Sequence, residues 1–299
     1  MTLQQLKYVV TVAECGNITE AAKQLFVSQP TVTSAIHDLE KEMQIVIFVR
    51  TNKGVILSED GERFLGHARQ VLEQVDLIEG IYKNDVVSKP HFAVSCQHYS
   101  FAVNAFVDVI RRFDAYQYDF TIREEQTHEI IEDVTNLKSE LGVIYLSSKN
   151  TEVLSKMLKR NELEFTELFT ATPHVFICDS HPLAKKKSIT MENLQDYPYL
   201  TYEQGEYNSQ YFSEEFVSTL DSRKNIRVRD RATLFNLIIG LNGYTVCSGV
   251  ISAELNGRNI ISKPLDVEEY MQIGIITRKG VVLSRYAREY IEALKAHCM

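Results

Sequence analysis

The stretch from Asn17 to Glu40, NITEAAKQLFVSQPTVTSAIHDLE, leaves the chain little local choice: it spells two short helices joined by a tight turn. Asn17 caps the first by accepting amides of the first turn, and Glu20, three residues on, completes a capping box by reaching back to the Asn17 amide. Ala21, Ala22 and Leu25 give this helix a small apolar face, and Phe26-Val27 turns the corner. Ser28 opens the second helix as its N-cap, with Pro30 in the first turn, where no intrahelical partner awaits the missing N–H. Val32, Ile36 and Leu39 recur at helical spacing and face inward, which leaves Gln29, Thr31, Thr33, Ser34 and His37 outside. That outer face is polar and uncharged. It suits hydrogen bonding at base edges in a major groove while the first helical amides sit against a phosphate. Pattern alone fits an ordinary helical hairpin equally well.

The flanks add three elements. Leu3, Leu6, Val10 and Ala13 predict an amphipathic helix over Met1 to Cys15, ended by Gly16. Ile45 to Val49 and Val55 to Leu57 predict a hairpin whose tip, Arg50-Thr51-Asn52-Lys53-Gly54, is polar and basic. Ser58 then starts a long helix with Glu59, Asp60 and Glu62 in its first turn, where the helix dipole favours acids. Phe64, Leu65, Ala68, Val71, Leu72, Val75, Ile78 and Tyr82 carry an apolar stripe along it for about five turns. A helix with one such stripe wants a partner, and Val86 to Pro90 breaks it as a hinge.

From His91 onward strands alternate with helices, the pattern of an α/β domain. FAVSC is followed by a helix over Ser100 to Phe113, a strand over Tyr118 to Arg123, a helix over Thr127 to Leu137 and the strand LGVIYL. A second half is expected from Glu164, with FTELF, HVFIC, YPYL, a helix around Gln210 to Leu220, a strand at Asn225 to Val228, a helix at Thr233 to Ile239 and YTVCS. MQIGIITRK and a helix over Ser284 to Ala296 return to the first half.

The details of these segments resemble the LysR-type transcriptional regulators. ITEAAKQLFVSQPTVT, the Ile36-x-x-Leu39-Glu40 run, Phe48-x-Arg50 and Leu57-Ser58-Glu59-x-Gly61 stand in the family's order and spacing, and downstream Leu168-Phe169, His181-Pro182-Leu183-Ala184, Asn193-Leu194 and Gly240 with Gly243 follow suit. Three positions depart: Gln44 stands where the family usually has glycine, Ile47 where it has leucine and His37 where lysine or arginine is common. The resemblance implies a winged helix-turn-helix over 1–57, a linker dimerisation helix and hinge over 58–89, and a two-lobed, periplasmic-binding-protein-like α/β effector domain over 90–299. Lobe I is expected at about 90–163 and 268–299, lobe II at about 164–267. It further implies double-stranded promoter DNA as partner, met by Ser28, Gln29, Pro30, Thr31, Thr33, Ser34 and His37 and by Arg50 and Lys53 of the wing. Leu65, Ala68, Leu72, Val75 and Ile78 are expected to form a dimerisation seam within a dimer of dimers, a homotetramer, with RNA polymerase as a further partner.

A small-molecule effector is expected between the lobes, at the carboxyl ends of strands. Ser95, Gln97, His98, Tyr99 and Ser100 lie where FAVS meets the next helix, a setting of positive potential that suits an anion. Thr127 and Tyr145 border the same lobe, and Tyr202 and Ser248 close the other side. No cofactor and no metal is implied.

Other readings are weaker. Cys96, His98 and Asp119 could be set out as nucleophile, base and orienting acid, but no nucleophile elbow, phosphate loop or metal spacing accompanies them, so no catalytic residue is assigned. His174 and Cys178 fall about 13 Å apart along one strand, too far to share a metal. Cys96 near a helix start also raises thiol-based redox sensing, without a close second cysteine to resolve a sulfenic acid. Five scattered cysteines argue against a disulfide framework. No signal peptide or membrane span is read, so a cytoplasmic protein is expected. The net charge of −8 counts against a nucleic-acid partner only until its position is considered. Up to Leu57, Lys7, Lys23, Lys41, Arg50 and Lys53 balance Glu14, Glu20, Asp38, Glu40 and Glu42, so the acidic excess lies downstream.

Overall fold

Thr2 starts the chain's first helix, α1 (Leu3–Cys15), by accepting the Gln5 amide while the Gln5 side chain takes its own, and Gly16 closes it at φ 61. The computed structural model describes residues 1–52, 54–83, 90–113, 117–205, 211–215 and 223–298. The two expected short helices follow as α2 (Ile18–Gln24) and α3 (Gln29–Met43). Asn17 caps α2 through the amides of Thr19 and Glu20, but Glu20 does not complete the box: its carboxylate takes the Lys23 ammonium at 2.8 Å. Val9, Val12, Ala21, Val32, Leu39 and Ile47 meet in one buried core.

The hairpin is β1 (Phe48–Thr51) paired with β2 (Gly54–Leu57), in register from Phe48 opposite Leu57 to Thr51 opposite Gly54. It is shorter at its base than Ile45 to Val49 suggested. The amide of Ile45 bonds to the Glu40 carbonyl, and one oxygen of the Glu40 carboxylate accepts the amides of Ile47 at 2.7 Å and Phe48 at 3.1 Å. Those groups are therefore tied to the end of α3. Arg50, expected at the tip, lies within β1 opposite Val55. Lys53 lies outside the described residues. α4 (Glu59–Lys83) then leaves the hairpin at a tight junction, where a Cβ on Gly61 would stand 2.1 Å from the Ile47 carbonyl oxygen. The Ser58 hydroxyl caps the Gly61 amide at 2.9 Å.

The stripe of α4 divides. Leu65 belongs to the N-terminal core and Ala68 is also buried, because the first turns of α4 lie on α1. These two residues are thus not free for a seam between copies, which corrects that expectation. Val71 and Ile78 are exposed, and Leu72 and Val75 are partly covered. The Tyr82 side chain and the hinge residues 84–89 lie outside the described residues.

The second compact unit begins with β3 (His91–Cys96), α5 (Ser100–Phe113), β4 (Asp119–Glu124), α6 (Thr127–Thr135), β5 (Leu141–Leu146), α7 (Thr151–Arg160) and β6 (Leu163–Ala171). It continues through β7 (His174–Cys178), α8 (Met191–Leu194), β8 (Tyr199–Tyr202), β9 (Asn225–Val228), α9 (Arg231–Leu241), β10 (Thr245–Cys247), α10 (Ala253–Asn256) and β11 (Ile260–Pro264). β12 (Met271–Arg278) and α11 (Arg285–Cys298) complete it. One sheet has the order β4-β3-β5-β12-β6, with β3 parallel to β4 and β5 and with β12 antiparallel to β5 and β6. A second, β10-β7-β11, is antiparallel, and β8 pairs in parallel with β9. The FTELF strand, expected to open the second lobe, is β6 of the first sheet. Its backbone pairs along β12 from Leu163 opposite Arg278 to Ala171 opposite Met271, so the chain crosses over only after Ala171. Of the helix expected at Gln210 to Leu220, Tyr211 to Glu215 are irregular backbone and the rest lies outside the described residues. The first sheet is packed by α5 and α11, where Phe92 and Phe106 stack, Tyr290 meets both rings edge-on and the Tyr290 hydroxyl donates to the Ala102 carbonyl at 3.0 Å.

Candidate functional site

Two surfaces concentrate the chemistry, one in each unit. In the first, Ser28 caps α3 in extended backbone, φ −75 and ψ 145, and accepts the Thr31 amide. Val32, Ile36 and Leu39 are buried, and Gln29, Pro30, Thr31, Ser34 and His37 are exposed on the opposite side. Thr33 is half-buried, its hydroxyl accepting Gln29 Nε2 at 2.8 Å, and the Ser28 and Thr31 hydroxyls share a bond of 2.7 Å. These side chains are thus ordered by one another on a helix N-terminus that is ready for an anion. The Glu40 carboxylate fixes the hairpin to the far end of the same helix, so the exposed Arg50 keeps a set position relative to the reading face. Sequence reasoning missed Phe26, which sits in the turn at φ 54 and is 95% exposed. A bulky aromatic just ahead of an N-cap, with no core position left for it, was the available signal.

In the second unit the residues expected around a ligand are brought together, but around the chain itself. β3 ends at Cys96, and Gln97, His98 and Tyr99 lead into α5. The His98 amide donates to Glu214 Oε2 at 2.9 Å, and its ring Nδ1 lies 3.0 and 2.9 Å from the two Glu214 oxygens. The ring Nε2 faces the Arg229 carbonyl at 3.0 Å, and the imidazole stacks on Tyr202 with centroids 3.8 Å apart. A carboxylate and a carbonyl only accept, so His98 donates from both nitrogens and is an imidazolium. Burial opposes that charge, but the Glu214 carboxylate and its hydrogen bond outweigh it and hold the His98 pKa above the ordinary value.

The remaining polar groups are also engaged. Gln97 donates to the Thr127 hydroxyl at 2.6 Å and accepts the Tyr99 hydroxyl and the Tyr145 amide, each at 3.0 Å. Thr127 donates its own hydroxyl to the Phe212 carbonyl at 2.8 Å, and Tyr145 donates to the Ser213 carbonyl at 3.0 Å. Glu215 accepts the Tyr202 amide at 2.7 Å and the Ser213 hydroxyl at 2.9 Å, and burial with Glu214 alongside pushes its carboxyl up to about 8. Arg231 at the start of α9 pairs with Glu124 at the end of β4, 3.0 Å apart. What space remains is about 30 Å³, between His98, Tyr99, Ser100 and Tyr202 on one side and Thr245 and Ser248 on the other. Ligand pockets run to about 300–1,000 Å³, so this cleft is closed with room for a water or two. The hydroxyls of Ser100 and Thr245 are buried there without a hydrogen-bond partner among the described residues.

Three expectations need correction. Ser95 is not in the cleft: its hydroxyl is bonded to Asp133 at 2.8 Å and to Ser139 at 2.9 Å, on the side of β3 that faces α6. The positive start of α5 does not lie open for an anion, because Glu214 fills it. Cys96 is fully buried, and burial, with Glu124 nearby, pushes its thiol well above the usual range, the reverse of what oxidation requires. The paper triad is not assembled either, since Asp119 pairs with His91 at the opposite end of β3 from Cys96. His181 is a loop residue, accepting the Leu183 amide at 3.0 Å and facing the Asn242 carbonyl at 3.1 Å.

Comparison with known proteins agrees with this layout. A family model described as a bacterial regulatory helix-turn-helix protein of the lysR family matches residues 3–62, and one described as the LysR substrate binding domain matches residues 96–299. The chain is 26% identical to the HTH-type transcriptional regulator YbhD of Escherichia coli K12, over 98% of this chain and 90% of that protein. It is 27% identical to the RuBisCO operon transcriptional regulator of Allochromatium vinosum, over 100% and 98%. A full-length OxyR variant from Pseudomonas aeruginosa shares the fold at a TM-score of 0.64 and 22% identity, covering 99% of this chain and 98% of that one.

Proposed function

The chain belongs to the LysR family of DNA-binding transcriptional regulators, and we propose that it reads promoter DNA with α3 and the β1–β2 hairpin and takes its signal from a small molecule in the cleft at the start of α5. The observation that carries the first half is the exposed row Gln29, Thr31, Ser34 and His37 on a helix whose N-terminus Ser28 caps. Side-chain amides and hydroxyls there meet base edges. Arg50, together with Lys53, meets phosphates, while Pro30 and Thr33 shape the approach of α3. The second half is supported by the unpartnered hydroxyls of Ser100 and Thr245, with Tyr99, Tyr202 and Ser248 around them. Gln97, Thr127 and Tyr145 set the shape of the cleft. No cofactor enters this reading.

Self-association through Val71, Leu72, Val75 and Ile78 of α4 supplies the several DNA-binding units that a domain of balanced charge needs for affinity. Such a regulator acts in the cytoplasm on double-stranded promoter DNA, as a dimer of dimers, with RNA polymerase as the recipient of its signal. Among the described residues no helix is long and apolar enough to cross a membrane.

Footprinting on DNA upstream of the chain's own gene tests the reading. Thr31→Ala or Gln29→Ala should weaken specific binding by about 1–3 kcal/mol, while Arg50→Ala weakens binding to every sequence and flattens its salt dependence. Unchanged footprints and salt slopes in all three would remove this face from DNA. For the cleft, a metabolite panel screened by thermal shift should yield a hit whose stabilisation shrinks in Ser100→Ala and Thr245→Val.

A further inference from the structure

The cleft is shut on a carboxylate of its own chain. Glu214 and Glu215 lie on irregular backbone, Tyr211 to Glu215, that is gripped much as a bound peptide would be: Thr127 and Tyr145 hold the carbonyls of Phe212 and Ser213. The Glu214 carboxylate takes the His98 amide and ring from the start of α5, and Gln204 Nε2 at 3.3 Å from the segment after β8. The His98 and Glu214 side chains are 4% and 5% exposed. Burying an ion pair to close a cleft is a poor way to gain stability, since apolar side chains of similar size close it without desolvating two charges. A buried pair is useful where one member is to be exchanged. Lining the same cavity are two hydroxyls, Ser100 and Thr245, each buried and without a hydrogen-bond partner among the described residues, so the site offers hydrogen-bonding capacity that Glu214 does not use.

We propose that Glu214 is an internal ligand of the cleft, holding the place of an anionic group of the effector, and that the effector binds by exchanging its own carboxylate for that of Glu214. This rests on the cleft being the effector site. The chemical class follows from the geometry: a carboxylate to take the His98 amide and imidazolium, carrying a polar substituent that reaches Ser100 and Thr245. Releasing Glu214 also frees the hold of Gln204, while Thr127 and Tyr145 keep the backbone of Phe212 and Ser213 in place, so the exchange is confined to the side chain. The exchange gives the protein two states, one latched by its own chain and one by ligand, and a neutral molecule has nothing to exchange for Glu214.

Chemical rescue tests this. In full-length Glu214→Ala, formate should bind saturably, raise the melting temperature and return the His98 ring resonances toward their wild-type positions, with sodium chloride at equal ionic strength as the control. If the latched form is about 99% of the wild-type population, formate affinity should rise about 100-fold in the variant. Glu214→Gln provides a second arm, whatever the folding of the alanine variant: the neutral amide yields its place more readily, so formate should bind it more tightly than wild type. Equal formate affinity in wild type and in a folded variant would overturn the inference. Should a screening hit bind wild type and weaken in Ser100→Ala while formate ignores both Glu214 variants, the internal ligand is lost and the cleft remains the effector site.

Discussion

One oxygen of the Glu40 carboxylate accepts the backbone amide of Ile47 at 2.7 Å, seven residues further along the chain, and so fastens the hairpin to the end of the reading helix. The same oxygen takes the Phe48 amide at 3.1 Å. Glu40→Ala should leave both amides without a partner and destabilise the N-terminal unit by about 2 kcal/mol. Denaturant melts of the full-length chain followed by amide exchange at Ile47 and Phe48 check this. Unaltered exchange at both positions would show that the carboxylate is dispensable.

Gln44 closes α3 in the left-handed region at φ 56, with its amide on the Glu40 carbonyl. A side chain there carries strain of roughly 1–2 kcal/mol, partly offset by the greater freedom of glycine in the unfolded chain. Gln44→Gly should therefore stabilise by about 0.5–1 kcal/mol. An unfolding midpoint at or below that of wild type contradicts it.

The cleft makes stability fall as pH rises. His98 keeps a proton in the folded chain that the unfolded chain releases near its ordinary pKa, so its contribution is full at low pH and is lost as pH climbs through the raised folded value. Glu215, moved by burial and by Glu214 from 4.5 to about 8, acts in the same direction: the folded chain holds a proton that the unfolded one gives up above 4.5. Burial and the Glu214 carboxylate dominate both shifts, with Glu124 adding to the rise of His98 and the Tyr202 amide and Ser213 hydroxyl working against the rise of Glu215. Calorimetry of the intact protein should show a lower melting temperature at pH 9 than at pH 6, with a difference on the order of a few kcal/mol, and Glu215→Gln should reduce it. A pH slope unchanged by that substitution would assign the effect elsewhere.

Leu72→Lys with Val75→Lys places charge in the part of α4 beyond Ala68, where the apolar stripe is exposed or only partly covered. Sedimentation should show a shift to smaller species and a loss of DNA affinity, with helix content kept. Leu65→Lys is the contrasting control, because Leu65 is in the N-terminal core and its loss should unfold that unit.

Local order was legible and partnership was not. Ser28, Pro30 and the Val32, Ile36, Leu39 spacing define α3 without help from the rest of the chain, and the helix from Ser100 to Phe113 stands where its apolar period placed it. Periodicity identifies the face of α4 that is apolar but not which neighbour covers it, so Leu65, which clusters with Tyr8, Val9 and Val12 of α1, and the buried Ala68 were assigned to a second copy. FTELF reads as a strand in either lobe; only its pairing with β12, more than a hundred residues away in sequence, decides the sheet. The bond from His98 to Glu214 spans 116 residues and joins a loop to irregular backbone, where no repeat announces a contact. The negative charge expected at the start of α5 is there, supplied in this structure by Glu214 of the chain itself.

The close approach of Gly61 to the Ile47 carbonyl turns the hairpin and the long helix into a single lever. With no side chain to act as a cushion, and with Ser58 bonded to Ile47 across the same joint, α4 cannot swing without carrying the hairpin along. Its 25 residues make an arm of about 37 Å, so a tilt of about 5° at the hairpin corresponds to about 3 Å at the far end. A displacement small enough for ordinary side-chain repacking at one end is thus geared to the aim of Arg50 at the other, and widening the joint by even a methyl group would strip the gears.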